Sequence, residues 1–363
     1  MPKFLSNESN QFNRITLCFN YTFITLFQLL LVCTSLHAQT LDSSSAVRSS
    51  PAQQASHKTH TFALIGDQPY SAASEKATSE LLQTLNEDPT IPWILHVGDI
   101  KGGGESCSNE LLKHRINQLS SSQKPVILVP GDNEWSDCHR SSNGGYNPLD
   151  RLAYLRKIAF NQASKLMPTS HPQAFQNASL QSQAGYPEHA MWTVAGTLFI
   201  SLNIPGSNNN LDNPSSRKST QREVEAEYQN RMKAVRAWMS QAALEFKQRS
   251  ELKELVIAIQ GNPIDGSGDT LTNSAWLGGE DGYKEFRGAV SNLIEHIQRP
   301  VLLIHGDTHR FKWDQPQLDS RKSNKLYRLE AWGYPFLNNW VKVTIQSGAD
   351  EPFKVESLSF NSM

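Results

Sequence analysis

From about residue 60 the chain alternates short apolar runs with stretches of three- and four-residue apolar spacing. Phe62-Ala63-Leu64-Ile65 runs into Gly66-Asp67, and Trp93-Ile94-Leu95-His96-Val97 into Gly98-Asp99. Val126-Ile127-Leu128-Val129-Pro130 leads to Gly131-Asp132-Asn133-Glu134, and Val301-Leu302-Leu303-Ile304-His305 to Gly306-Asp307-Thr308-His309. Each run has the length of a buried strand, and each ends in a turn dipeptide. Ser74 to Asn86, Glu110 to Leu119, Leu149 to Phe160, Glu223 to Gln248 and Phe286 to Ile297 carry helical spacing, as in Ala77, Leu81, Leu82 and Leu85. Strand, helix, strand, helix, strand predicts right-handed crossovers and a largely parallel sheet.

The remaining elements follow the same signals. Met191 to Val194 and Thr197 to Leu202 read as a strand pair turning at Ala195-Gly196. Leu255 to Ile259 is a further buried strand, ending at Gln260-Gly261-Asn262-Pro263. Leu326 to Leu329, Val341 to Ile345 and Phe353 to Leu358 read as closing antiparallel strands. Gly206 to Ser219 is polar, and Asp265 to Gly282 is rich in Gly, Ser and Thr; both are expected to be loops.

The first 59 residues stand apart. Phe23 to Val32 is apolar, Lys3 and Arg14 precede it, and Ser35-Leu36-His37-Ala38 ends in a small residue. This predicts a signal peptide over 1–38, a flexible Ser/Ala/Gln-rich linker over 39–59, and one folded domain over 60–363. The apolar run is short against the roughly 20 residues that span a bilayer, so no stable membrane anchor is expected after cleavage. A lipid site at Cys33 is a weaker alternative. Of four cysteines, Cys18 and Cys33 leave with the leader. Cys107 and Cys138 follow two of the Gly-Asp turns, and in a secreted or periplasmic protein they are expected to pair; two buried thiols are the alternative. Formal net charge is -1, which gives no bulk electrostatic case for nucleic acid or an anionic membrane. Asn177-Ala178-Ser179 is a glycosylation sequon, relevant only in a eukaryote.

Four strand ends delivering carboxylates to one point create repulsion that a cation must offset. Asp, Asn and His together suit Mn, Fe or Zn, or Mg where oxygen dominates. Two ions sharing a carboxylate is the arrangement used for hydrolysis at phosphorus.

Asp67, Gly98-Asp99, Gly131-Asp132-Asn133-Glu134 and Gly306-Asp307-Thr308-His309 resemble, in order, the signature of the calcineurin-like metallophosphoesterases. The resemblance spans about Thr61 to Phe311. It implies an α/β fold, a four-layer αββα sandwich of largely mixed sheets, around two divalent ions. It implies a metal-activated water attacking phosphorus in line. It assigns Asp99 as the bridge, with Asp67 and His309 on one ion. Asp132, Asp307 and either Asn262 or Gln260 are then expected on the other. The departures point to a divergent branch, marked by Gly-Asp-x-Pro-Tyr and Gly-Asp-Asn-Glu-Trp. The family's first His falls on Pro69, its Asn on Asp132, its catalytic His on Asn133, and the first His of its last motif on Asp307; the His before Pro is absent at Gln260-Gly261-Asn262-Pro263.

Asn133 and His305 are therefore the candidate catalytic residues, with His139, His189 and His96 open alternatives to His305. The metal ligands expected are Asp67, Asp99, Asp132, Asp307 and His309. The function expected is an exported phosphatase or phosphodiesterase acting on a small-molecule or macromolecular phosphate ester. A catalytically degenerate metal- or ligand-binding member of the same fold is the rival.

Overall fold

The computed structural model describes residues 58–161, 163–180, 185–211, 219–264, 280–318 and 321–360. The expected leader, the linker up to residue 57 and most of the Gly/Ser/Thr-rich loop lie outside them. Lys58 and Thr59 already belong to a strand.

The first sheet begins with three parallel strands, β1 (Lys58–Ile65), β2 (Ile94–His96) and β3 (Val126–Leu128). α1 (Glu75–Glu87) and α2 (Asn109–Ser120) cross between them. α1 buries Leu81, Leu82 and Leu85, the stripe its spacing predicts. Ser108 caps α2 by accepting from the Leu111 N–H. α3 (Pro148–Ala159) follows, entered through an Asn147 cap with proline in its first turn.

The chain then builds a second sheet from β4 (Gln176–Leu180), β5 (Ala190–Val194) and β6 (Thr197–Ser201). A single turn, α4 (Gly206–Asn209), precedes the long α5 (Gln221–Gln248), which opens on a Thr220–Glu223 capping box. β7 (Glu254–Ala258), α6 (Lys284–Ile297) and β8 (Val301–His305) continue it. β9 (Lys312–Asp314) and the small hairpin β10 (Gln317–Leu318) and β11 (Arg321–Lys322) come next. β12 (Leu326–Glu330), β13 (Asn339–Ser347) and β14 (Phe353–Ser359) close the fold. No helix among the described residues is long and apolar enough to cross a membrane.

The strand orders are β14-β13-β1-β2-β3 and β4-β5-β6-β7-β8-β12-β9, both mixed. The expected closing strands are antiparallel at β13 and β14, but Leu326–Glu330 runs parallel to β8 and antiparallel only to β9. β9 to β11 are too short to carry a two-residue period, so the sequence does not announce them.

Alternation along the second sheet makes it the partner of two cores. Phe199, Val256, Ala258, Leu302 and Ile304 face the first sheet, with Phe62, Leu95 and Trp93 in the same core. Leu198, Ile200, Leu255, Ile257 and Leu303 pack instead with α5 and α6, through Val235, Trp238, Phe286 and Val290. The layers are therefore helices, sheet, sheet, helices, the expected sandwich. Aromatic rings fill the seam: Phe62 stacks on Trp93 at 4.5 Å, and Phe199 meets Trp93 edge-on at 5.4 Å and stacks on Trp192 at 5.2 Å. At one end Glu254 accepts from Ser347 Oγ at 2.9 Å and Gly348 N at 2.6 Å, joining the two sheets by hydrogen bonds.

Cys107 and Cys138 are joined as a disulfide across 31 residues. By loop entropy such a bridge stabilises by about 3–4 kcal/mol. It ties the loop after β2 to the loop after β3.

Candidate metal centre

The strand-end aspartates meet. Asp67, Asp99 and Asp132 follow β1, β2 and β3 of one sheet, while Asp307 and His309 follow β8 of the other. Asp67, Asp99, Asp307 and His309 all have positive φ, at 51°, 56°, 78° and 65°. That region is costly for residues with a Cβ, though Asp and His enter it more readily than most. Strain repeated at the donors themselves is the pattern of a functional site. Backbone approach is close enough to exclude side chains: a Cβ on Gly131 would lie 2.1 Å from Asp99 Oδ1.

One group of donors is tight. Ligand atoms of Asp67, Asp99 and His309 lie within 4.8 Å of one another. The Tyr70 hydroxyl sits among them, donating to Asp99 Oδ2 at 2.6 Å and lying 3.0 Å from His309 Nε2 and 3.4 Å from Asp67 Oδ1. Asn133 donates its amide to Asp99 Oδ2 at 2.8 Å and its backbone N–H to Asp99 Oδ1 at 3.1 Å. His309 Nδ1 lies 2.8 Å from the Tyr334 carbonyl; donation there leaves Nε2 with its lone pair toward the acids.

The second group is Asp132 and Asp307. The Gln260 amide lies 3.4 Å from an oxygen of each, and its own oxygen accepts from Gly206 N at 2.5 Å. Ser207 donates to Asp132 Oδ2 at 2.6 Å. This serine opens a run of left-handed residues, Ser207, Asn208, Asn209 and Asn210, with φ between 49° and 59°. Arg231, fully buried, holds that turn: it donates to the Asn203 carbonyl at 3.0 Å, the Asn209 carbonyl at 2.8 Å and the Asn209 side chain. The sequence suggests only a polar loop here; what it hides is an arginine on α5 that fastens the turn.

Electrostatics follow from this crowding. Burial first, then the charge of Asp307, pushes Asp67 well above the usual carboxylate range. Burial and Asp132 do the same for Asp99 and Asp307. Burial raises Glu134 and Asp137 to about 7. Lys101 is buried nearby and donates to the Gly102 carbonyl at 2.9 Å. Asp67 Oδ2 is buried without a hydrogen-bond partner. Repelling buried carboxylates, with His309 Nε2 3.7 Å from Asp67 Oδ1 and the second Asp67 oxygen unpaired, are a donor set that fits a divalent cation.

Of the other residues expected at the site, Gln260 reaches the acids, whereas Asn262 offers Asp307 only its backbone N–H at 3.3 Å and turns its side-chain oxygen to Ile264 N. His305 lies 2.9 Å from the Gly306 carbonyl through Nδ1, and burial depresses it to about 3, with Arg328 and Asp314 the strongest charges on it. His96 contacts the Gln68 carbonyl at 3.0 Å, and His139 the Ser136 carbonyl at 2.8 Å. His189 is buried beside Glu188. Tyr70, Ser207 and Arg140 carry no expectation from sequence. For Tyr70 the signal is present: it lies three residues after Asp67, in the motif that lacks histidine. Arg140 is half-exposed at the rim, bound to Asp137 at 2.7 Å and to Ser207 at 3.2 Å.

A family model for calcineurin-like phosphoesterases matches residues 57–311. The chain belongs to this family. Solved structures of similar shape include GAP50, the anchor in the inner membrane complex of Plasmodium, at 12% identity and TM-score 0.43, covering 84% of this chain and 90% of that one. Purple acid phosphatase PPD1 from yellow lupin matches at 11% identity and TM-score 0.41, over 84% of this chain and 54% of that one. A 5'-nucleotidase precursor from Thermus thermophilus matches at 10% identity and TM-score 0.40, over 83% of this chain and 54% of that one. The chain thus spans about half the length of the latter two. No curated protein matches the sequence. Membership of the phosphoesterase family agrees with the αββα layers and with the order in which the strand-end aspartates arrive.

Proposed function

We propose that this chain is an exported, metal-dependent phosphoesterase. The observation that carries the reading is the convergence of Asp67, Asp99 and His309, whose ligand atoms lie within 4.8 Å of one another among buried acids. Asp67, Asp99 and His309 would hold one divalent ion, and Asp99, Asp132 and Asp307 a second. Bound there, the ions supply positive charge to the phosphate oxygens and Lewis acidity at phosphorus.

The chain's own groups do the rest. The Tyr334 carbonyl fixes the His309 ring, and Asn133 fixes both oxygens of Asp99. Arg140 offers a guanidinium at the rim to steady a phosphate oxygen. Asn133 can donate a hydrogen bond to a leaving oxygen but has no proton to transfer. Export is supported by the leader and by the Cys107–Cys138 bridge, which suits an oxidising compartment.

The rival reading, a member that binds without turnover, draws on Tyr70 and Gln260, whose donors already bridge the acids. The test is metal content of the mature chain together with hydrolysis of aryl phosphate mono- and diesters in added Mn. About two equivalents of metal with turnover that disappears in Asp99→Asn supports the enzyme. Metal without turnover supports the rival, and no metal under any condition overturns the metal-dependent enzyme.

A further inference from the structure

Among the described residues, the exposed large apolar side chains are Leu244, Tyr334 and Phe336, the last two at 44% each. Leu244 lies far along α5, whereas Tyr334 and Phe336 share the loop that leaves the centre. That loop is fastened to it twice: the Tyr334 N–H donates to the Asp67 carbonyl at 3.1 Å, and its carbonyl faces His309 Nδ1 at 2.8 Å. Tyr334 stacks on Tyr70 at 5.7 Å and 14°, and the Tyr70 hydroxyl is the one among the acids. Phe336 leans on Trp332 at 4.9 Å. Tyr334 is thereby held beside the centre, and Phe336 exposes a second ring two residues further along the same loop. Exposed aromatic rings offer faces on which a ligand ring can stack.

We infer that the Tyr334–Phe336 shelf is a subsite for a flat aromatic group, so that the substrates are phosphate esters of aromatic alcohols. The inference rests on the phosphoesterase reading and deepens it. It also answers the loss of a proton donor at Asn133. Water adds to phosphorus, the phosphorus–oxygen ester bond breaks, and the aryloxide leaves with the electron pair, taking its proton from solvent. A phenolic oxygen, with a pKa of about 10, leaves without an acid far more readily than an alkoxide.

Two non-hydrolysable probes separate the ring from the phosphate: phenylphosphonate and methylphosphonate, titrated by calorimetry into the metal-loaded mature chain. Phenylphosphonate is expected to bind about tenfold tighter, the scale of one ring stacked on an aromatic side chain. In Phe336→Ala and in Tyr334→Ala, with metal content measured in parallel, the ratio is expected to fall to about twofold or less. The phosphonate analogue of adenosine 5'-phosphate, whose ring stands one sugar from phosphorus, forms a third arm; a larger gain for it than for phenylphosphonate moves the substrate from aryl to nucleoside esters and overturns the aryl assignment. A ratio near one in the wild type, an unchanged ratio in both variants, or no binding of either phosphonate overturns the subsite. Because this readout is binding, a chain that shows the ratio but no turnover keeps the shelf and loses the enzyme. Turnover with a ratio near one does the reverse.

Discussion

Replacing Arg231 by leucine should uncouple the turn at Ser207–Asn210 from the body of the protein. Its guanidinium is fully buried and serves Glu227 at 2.6 Å and 3.1 Å, the Asn203 carbonyl at 3.0 Å and the Asn209 carbonyl at 2.8 Å. Leucine fills part of the volume but donates nothing. Breaking a buried ion pair by removing one partner costs about 3–5 kcal/mol. Each carbonyl stripped of its donor adds about 1–3 kcal/mol unless water reaches it. The four left-handed residues lose the contacts that offset their strain, so part of the loss appears as local opening. The expected total is at least about 5 kcal/mol, read as a urea midpoint shift at constant slope by tryptophan fluorescence. Trp135, with the Arg231 guanidinium 5.6 Å from its ring, is a local reporter. Arg231→Lys should recover less than half, since one ammonium cannot span all four acceptors. A Leu variant within about 1 kcal/mol of wild type would show that the turn stands without the arginine, and the reasoning would fail.

Other outcomes follow from the same contacts. Gly131→Ala should lower metal content and activity sharply while costing only about 1–3 kcal/mol of stability, because the new Cβ meets Asp99 Oδ1 at 2.1 Å; elemental analysis alongside thermal melting checks both halves. The Cys107→Ser/Cys138→Ser double variant should lose about 3–4 kcal/mol, measured as a melting shift that added reductant reproduces in the wild type. Burial holds His60 and His189 at about 4, below the ordinary value of 6.5. Their folded pKa is depressed, so the stability they contribute is complete above 6.5 and is lost as pH falls from 6.5 toward 4, each by up to about 3 kcal/mol. Acid titration of urea stability should therefore be shallower in His60→Phe than in the wild type; parallel curves contradict it. Arg140→Ala should raise KM for any phosphate ester several-fold with kcat little changed, as for a group that holds phosphate in ground and transition state alike.

The sandwich was largely legible because its evidence is local. The runs ending at Asp67, Asp99, Asp132 and Asp307 carry strand length, turn chemistry and carboxylate together, and the helices between them carry plain periodicity. Pairing direction was less legible: Leu326–Glu330 lies beside β8 and β9 at once, and no residue in it records which neighbour runs which way. At the centre, residue type announced the acids but not what lies between them. Tyr70 and Ser207 reach the cluster from turns, and Gln260, expected there as a ligand, lies between Asp132 and Asp307 as a hydrogen-bond donor. Arg231 acts from another helix, α5, whose periodicity does not mark it as the anchor of a distant turn. The run Gly206 to Asn210 looked unstructured because asparagines favour loops, yet the same tolerance of positive φ lets them wind a left-handed turn.

The donors arrive from two sheets, and packing does most of the aligning of one on the other, with the Glu254 hydrogen bonds joining them at one end. Asp67, Asp99 and Asp132 move with the first; Asp307, His309 and Gln260 move with the second. Sliding either sheet by a fraction of an ångström would alter the donor spacing without touching a donor. The rings of Phe62, Trp93, Trp192 and Phe199 thus act as a gauge block that sets the jaw width of the clamp above them. Variants in that greasy seam should behave like subtle ligand mutants, shifting which cation is preferred before they unfold anything.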